Sequence, residues 1–298
     1  MPSVDLEVLT QGTTHPRALA AVRRGLASLP DALWELTTLE LLNLGENALT
    51  EISERLADLD RLTELYLHND RLTAVPERIG RLVNCHVLDL GHNALRSVPD
   101  ALGEMASLRF LYLIDNQLTE LPAALGRLDN LIYFGTTDNQ LTALPDEIGQ
   151  LSKLVELRLY NNRLAALPDS IGRLRDLREL HLRGNRLSAL PETMGGLASL
   201  RKLSLMNNQL THLPDSIGGL PNLVELDLRN NALNALPDTL SSLTALTDLD
   251  LRTNRLRALP AALADLPNLR KLDLRWNFLP IIPAWVRDLE ARGCLVFL

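Results

Sequence analysis

Residues 144–168 read LPDEIGQLSKLVELRLYNNRLAALP. Within them Leu154, Leu157, Leu159, Asn162 and Leu164 occupy the frame L-x-x-L-x-L-x-x-N-x-L. The central x-L-x-L-x alternates apolar and polar residues with a period of two, which is the pattern of a strand with one buried face. Pro168 cannot donate to a strand ladder, so it marks where the chain has turned onto the opposite flank. The phrase LPDEIGQL then supplies a short helical or 3₁₀ segment on that flank.

The same frame returns every 23 residues, starting at Leu39, Leu62, Cys85, Leu108, Leu131, Leu154, Leu177, Leu200, Leu223, Leu246 and Leu269. One such unit cannot bury its own apolar face, whereas stacked units share a continuous core and make a solenoid stabilised by its neighbours. Strands stack about 4.7–4.9 Å apart and the helical flank is wider, so the stack is expected to curve with a parallel sheet on its concave side. The asparagine column runs Asn47, Asn93, Asn116, Asn139, Asn162, Asn185, Asn208, Asn231, Asn254 and Asn277, with Asp70 as its one departure. A buried amide both donates and accepts, so this column is expected to be a structural ladder satisfying backbone groups. An ionised Asp70 can only accept, which predicts a repeat that is weaker or differently bonded. The proline column, from Pro30 to Pro283, is broken only by Ser53.

These residues resemble the 23-residue leucine-rich repeats of the Ras-suppressor, Scribble and Erbin type, and of the plant intracellular Ras-group proteins. Arrays of this kind are also carried by bacterial effectors delivered into host cells. The resemblance covers about residues 26–283. It implies an α/β fold, a right-handed leucine-rich-repeat solenoid or horseshoe with a concave parallel β-sheet and short helical or 3₁₀ convex segments. Such arrays serve many partners, so the resemblance specifies the fold more sharply than the function. The expected organisation is a helical N-terminal cap over residues 1–25, the array over 26–283 and a C-terminal cap over 284–298. Pro16 near the start of His15–Arg24 and Gly25 after it suggest the first cap's helix. In the second, the apolar tail from Cys294 to Leu298 reads as a last strand or a lid.

Composition narrows the function classes. The chain has 298 residues, 46% of them hydrophobic and 22% charged, with a formal net charge of −7. Duplex nucleic acid needs a dominant basic face, so it is not the expected partner. No run of apolar residues is long enough for a membrane span, and the start has no basic segment leading into an apolar one. Two cysteines and the lack of any Asn-x-Ser/Thr site favour a cytoplasmic setting. The alternative is a bacterial effector, or the targeting domain of one, acting in a host cell after secretion without a cleaved signal peptide and with no catalytic site in this chain. Only three of the 30 basic residues are lysines, a bias that suggests a bacterial source.

Function should lie where the fold does not dictate the residue, at frame positions three, five, seven and eight of each strand. All four tyrosines, Tyr66, Tyr112, Tyr133 and Tyr160, fall there, with Phe110, Ile114 and His68. Arg158, Arg183 and His181 follow at the same positions. Tyrosine and arginine are the residues of interface hot spots. These ten residues are therefore the candidate partner-binding set of a protein-protein recognition module. The arginines suit an acidic or phosphorylated segment of the partner, because a guanidinium offers a bidentate fork. Asp227, Asp250 and Asp273 beside Arg229, Arg252 and Arg275 read as a solvated charge ladder. In the fifth unit Phe134 and Thr136 replace inward leucines. No catalytic motif, metal-ligand spacing or cofactor-binding signature occurs, so neither an enzyme nor a cofactor is expected.

Overall fold

The computed structural model describes residues 15–298, and the chain divides into two compact units, Met1–Leu141 and Thr142–Leu298. In the first unit six short parallel strands follow in chain order, β1 (Ala18–Ala20), β2 (Leu41–Asn43), β3 (Glu64–Tyr66), β4 (Val87–Asp89), β5 (Phe110–Tyr112) and β6 (Tyr133–Gly135). The second unit contributes β7 (Glu156–Arg158), β8 (Glu179–His181), β9 (Lys202–Ser204), β10 (Glu225–Asp227), β11 (Asp248–Asp250) and β12 (Lys271–Asp273). It closes with a helix, α1 (Trp285–Ala291), and a last strand, β13 (Leu295–Phe297), which pairs with β12.

Every register step from β1 to β6 and from β7 to β12 is 23 residues, as in Leu65↔Leu88↔Leu111 and Leu180↔Leu203↔Leu226. Equivalent leucines therefore stack on one another, and those at the two inward frame positions are almost all fully buried. Phe134 and Thr136 take these positions in the fifth unit and are buried as well. Each unit is thus a leucine-rich-repeat solenoid.

The return flank of each repeat is a five-residue 3₁₀ turn, as in Asp169–Arg173, whose first residue follows a proline with ψ near the extended value. At Ser53, where the proline is missing, the serine side chain accepts a hydrogen bond from Arg55 N–H and caps the turn instead. Small residues in these turns have a packing cause. A Cβ on Gly103 would stand 2.1 Å from the Ala124 carbonyl oxygen, and one on Gly172 would stand 2.1 Å from that of Thr193.

The asparagine ladder is the hydrogen-bonded spine of the array. Asn208 Oδ1 accepts from Leu187 N–H at 3.0 Å, and its Nδ2 donates to the carbonyls of Leu182 and Leu205 at 3.0 Å each. Asn116, Asn139, Asn185, Asn231 and Asn254 likewise each join their own turn to the preceding repeat. Asp70 accepts from Leu49 N–H at 2.8 Å, but its buried Oδ2 has no hydrogen-bond partner among the described residues. Burial pushes its carboxyl up to about 6, against the lowering effect of backbone hydrogen bonds and of His68.

Two expectations need correction. Residues 1–14 of the proposed first cap lie outside the described residues, and His15–Arg24 holds strand β1 rather than a helix. Leu19 and Ala21 sit 23 residues before Leu42 and Leu44 and are buried like them, so this segment is a degenerate repeat in which Pro16 and Arg24 hide the frame. Alanine's helix propensity gave way to ladder pairing with β2. Of the two readings of the C-terminal tail the last strand is the one observed, β13 pairing with β12 with Leu295 and Phe297 turned outward and Leu298 also exposed. Frame position eight is not free, since its residues from Glu46 to Trp276 adopt left-handed backbone. That conformation favours Asn, Asp and Gly and explains why they crowd the column.

Candidate interaction surface

The sheet face of the first unit is built from three rows across neighbouring strands. Tyr66, Asp89, Tyr112 and Gly135 form one register row, and Glu64, Val87, Phe110 and Tyr133 form the row beside it. His68, Gly91 and Ile114 stand two residues beyond the first row. Tyr112 and Tyr133 stack with ring centroids 4.8 Å apart and a tilt of 34°. Tyr133 can lie over its own strand because Gly135 has no side chain there; a Cβ would meet the Tyr133 hydroxyl oxygen at 2.9 Å. His68 likewise lies over Gly45 and meets Tyr66 edge-on, with centroids 6.3 Å apart. The structure thus brings Phe110, Tyr112, Ile114 and Tyr133 together on adjoining strands, with Tyr66 and His68 on β3 and in the turn after it. All six are half-buried, because the rings rest on one another, and none is in the core. Thr137, expected to face solvent, is fully buried.

Fixed carboxylates lie among these rings. Tyr66 donates its hydroxyl proton to Glu64 Oε2 at 2.7 Å. Burial, then that hydrogen bond and the charges of Glu64 and Asp89, push the Tyr66 phenol up to about 12. Asp89 Oδ1 accepts from Gly91 N–H at 2.9 Å. His68 Nδ1 stands 3.4 Å from Asp89 Oδ2 but makes no hydrogen bond to it. His92 turns to Asp115 at 2.9 Å, so the two histidines do not converge on Asp89.

In the second unit the sheet face is charged and largely paired. Arg158 Nε donates to Glu156 Oε1, and His181 Nε2 lies 3.0 Å from Glu179 and 3.7 Å from Glu156. Arg183 stacks over the Tyr160 ring with its guanidinium carbon 5.2 Å from the centroid. Glu156, Glu179 and His181 can each aim one ligand atom within 4.8 Å of the others, a grouping that the linear spacing does not reveal. Arg158 already neutralises Glu156 there, which opposes a second cation.

Farther along, Arg229 grips Asp227 with two bonds and reaches Asp250 at 3.4 Å, and Arg252 grips Asp250 and reaches Asp273 at 3.3 Å. This ladder is less solvated than expected, for Asp273 is only 1% exposed. Burial alone would push the Asp273 carboxyl up, but hydrogen bonds from the Arg275 side chain and backbone and the nearby Arg252 charge hold it below the usual carboxylate range. On the next strand the register partner of Asp273 is Phe297 rather than an aspartate, and Arg275 lies 5.0 Å from the Phe297 ring and 5.5 Å from that of Trp276. Trp276, Phe278 and Ile281 are strongly exposed beside them. Sequence reading missed this C-terminal apolar patch; the signal was a tryptophan in the left-handed column, with φ at 61°.

Comparison with known proteins agrees with this architecture. A family model described as a leucine-rich repeat region matches residues 83–185 and 168–292, and the chain belongs to the leucine-rich-repeat family. A leucine-rich-repeat protein of Leptospira interrogans is similar over 92% of this chain and 82% of its own, with 32% identity and a TM-score of 0.62. The ectodomain of the Arabidopsis thaliana membrane receptor kinase GASSHO1/SCHENGEN3, solved in complex with Casparian strip integrity factor 2, shows 31% identity and a TM-score of 0.77. That match covers 94% of this chain and 38% of the receptor's chain. The repeat domain of FLRT2, solved with latrophilin 3 and Unc5D, shows 25% identity and a TM-score of 0.74 over 94% of this chain and 89% of its own. No curated protein matches the sequence. Among the described residues no helix is long and apolar enough to cross a membrane.

Proposed function

We propose that this chain is a non-catalytic recognition module that binds a protein or peptide partner on its sheet face. The observation that carries the reading is the gathering of Phe110, Tyr112, Ile114 and Tyr133 on adjoining strands, on the face whose residues the solenoid leaves unspecified. Stacked tyrosines present rigid area with little entropy to lose on binding. Similar repeat domains were solved with protein or peptide partners, which supports the same use here. Carboxylates such as Asp227 and Asp250 are each held by an arginine on an open surface.

The finer assignments belong to the same reading. The repeat subtype, the bacterial source and the cytoplasmic setting follow from the sequence pattern, and the effector alternative gains nothing from the comparisons. An acidic or phosphorylated partner segment has one residue in its favour, Arg183, which is exposed and stacked on Tyr160. Arg158 is engaged by Glu156 and supports it less.

The test is affinity capture from a lysate of the source organism with the wild-type chain and a Tyr112→Ala/Tyr133→Ala variant. The variant is expected to lose the captured partner while its melting temperature stays within about 5 °C, since both rings are half-buried surface rather than core. A variant that captures the same partner equally well would falsify the reading.

A further inference from the structure

The two sheet faces differ in charge. At frame positions three, five, seven and eight, the second unit sets Arg158, Arg183, Arg229, Arg252, Arg275, Lys202 and Lys271 among its acids. Most of those acids are taken up by a neighbouring base. The corresponding positions of repeats two to five hold Glu64, Asp89, Asp115 and Asp138 and neither a lysine nor an arginine. Arg109 lies at the margin, its guanidinium carbon 5.9 Å from the Phe110 centroid. Among the described residues Asp89 and Asp115 pair only with histidines, and Glu64 is bound by a tyrosine hydroxyl.

The arrangement around Asp89 is more specific than net charge. Tyr66, Asp89 and Tyr112 are register neighbours on three successive strands, so a carboxylate stands between two phenol rings at about 4.8 Å per step. The Gly91 amide fixes Asp89 through Oδ1, and Glu64 fixes Tyr66. Among the described residues His68 Nδ1 is the group nearest to pairing with Asp89 Oδ2, at 3.4 Å and without a hydrogen bond, and the Asp89 side chain is 23% exposed. A guanidinium or ammonium seated there would bond to Oδ2 and lie against aromatic faces, two attractions that act together on a cation.

Resting on the sheet-face reading above, we propose that the partner of the first unit is a basic segment, with an arginine or lysine side chain on Asp89 between Tyr66 and Tyr112. Ring stacking gives the contact area, and the carboxylates of Glu64, Asp89 and Asp115 select the sign.

The experiment measures fluorescence anisotropy of a labelled (Arg-Gly)₄ peptide and a labelled (Glu-Gly)₄ peptide against the full chain in 50 mM salt at pH 7.5. The arginine peptide is expected to bind at least tenfold more tightly than the glutamate peptide. Asp89→Asn keeps an oxygen for the Gly91 amide, so the fold is retained, and should weaken the arginine peptide about tenfold, as should Tyr112→Ala. Asp100→Asn, on the 3₁₀ flank, removes the same charge and should change affinity less than twofold, which separates the site from general attraction to an acidic protein. Equal affinity for the glutamate peptide, no binding of either peptide, or an Asp89→Asn variant that binds like wild type overturns the proposal. If the glutamate peptide binds and depends on Tyr112, sheet-face recognition survives and only the basic partner is lost. If capture from the lysate is also indifferent to the tyrosines, both readings fall.

Discussion

At position 70 an aspartate stands where the other ten full repeats place an asparagine, and its buried Oδ2 has no hydrogen-bond partner among the described residues. An amide nitrogen there could donate to the carbonyls of Leu44 and Leu67, the positions equivalent to those that Asn208 serves. Asp70→Asn is therefore expected to stabilise the fold by about 1 kcal/mol, one net hydrogen bond's worth. The pH dependence follows from the carboxyl being raised in the fold, to about 6, above its ordinary value of 3.8. A raised acid favours folding below its unfolded pKa, and that contribution is lost as pH rises through the folded one. The advantage of Asp70→Asn over wild type should be largest at pH 7 and shrink on acidification between pH 6 and 4. Urea melts of both proteins across that range check it, and an advantage independent of pH would reject the assignment.

Among the elements, the 3₁₀ turns limit how closely the repeats can stack. Gly172 meets the Thr193 carbonyl so closely that an added methyl must push two turns apart. Gly172→Ala is expected to cost about 1–3 kcal/mol, the usual range for overpacking, despite alanine's better helix propensity. The lowered urea midpoint would show it, and a neutral or stabilised variant would mean that the flank is loose. The strands have the opposite freedom. Each contributes only three residues to the ladder, and the middle one is held inward while, outside β6 and β12, its two neighbours face out. Interaction chemistry can therefore change from repeat to repeat, from tyrosines in β5 and β6 to paired charges in β10, β11 and β12.

For the whole molecule, a linear array makes stability a sum of neighbour contacts, so an end matters most to the repeats beside it. Val286, Leu289 and Cys294 are buried, and β13 pairs with β12. Deleting residues 284–298 should accelerate amide hydrogen exchange in β12 most and in β9 least. Uniform loss of protection over the second unit would instead indicate a single cooperative block.

The sequence by itself determined the period, the inward leucines, the amide ladder and the proline that precedes every 3₁₀ turn but the one after Ser53. All of these are local or exactly repeated demands of burial and hydrogen bonding, so identical letters recur at identical spacing. It also placed the tyrosines on the sheet face, since alternation decides which way a strand residue points. Tertiary structure alone decided what depends on neighbours 23 residues away that share no letter: that Pro16–Leu26 joins the array, that Tyr133 folds over Gly135, that Asp273 is buried, and that Asp89 stands between two tyrosines. Those outcomes depend on side chains of different type meeting across strands, and a periodic pattern records which positions meet without recording how unlike residues settle against each other.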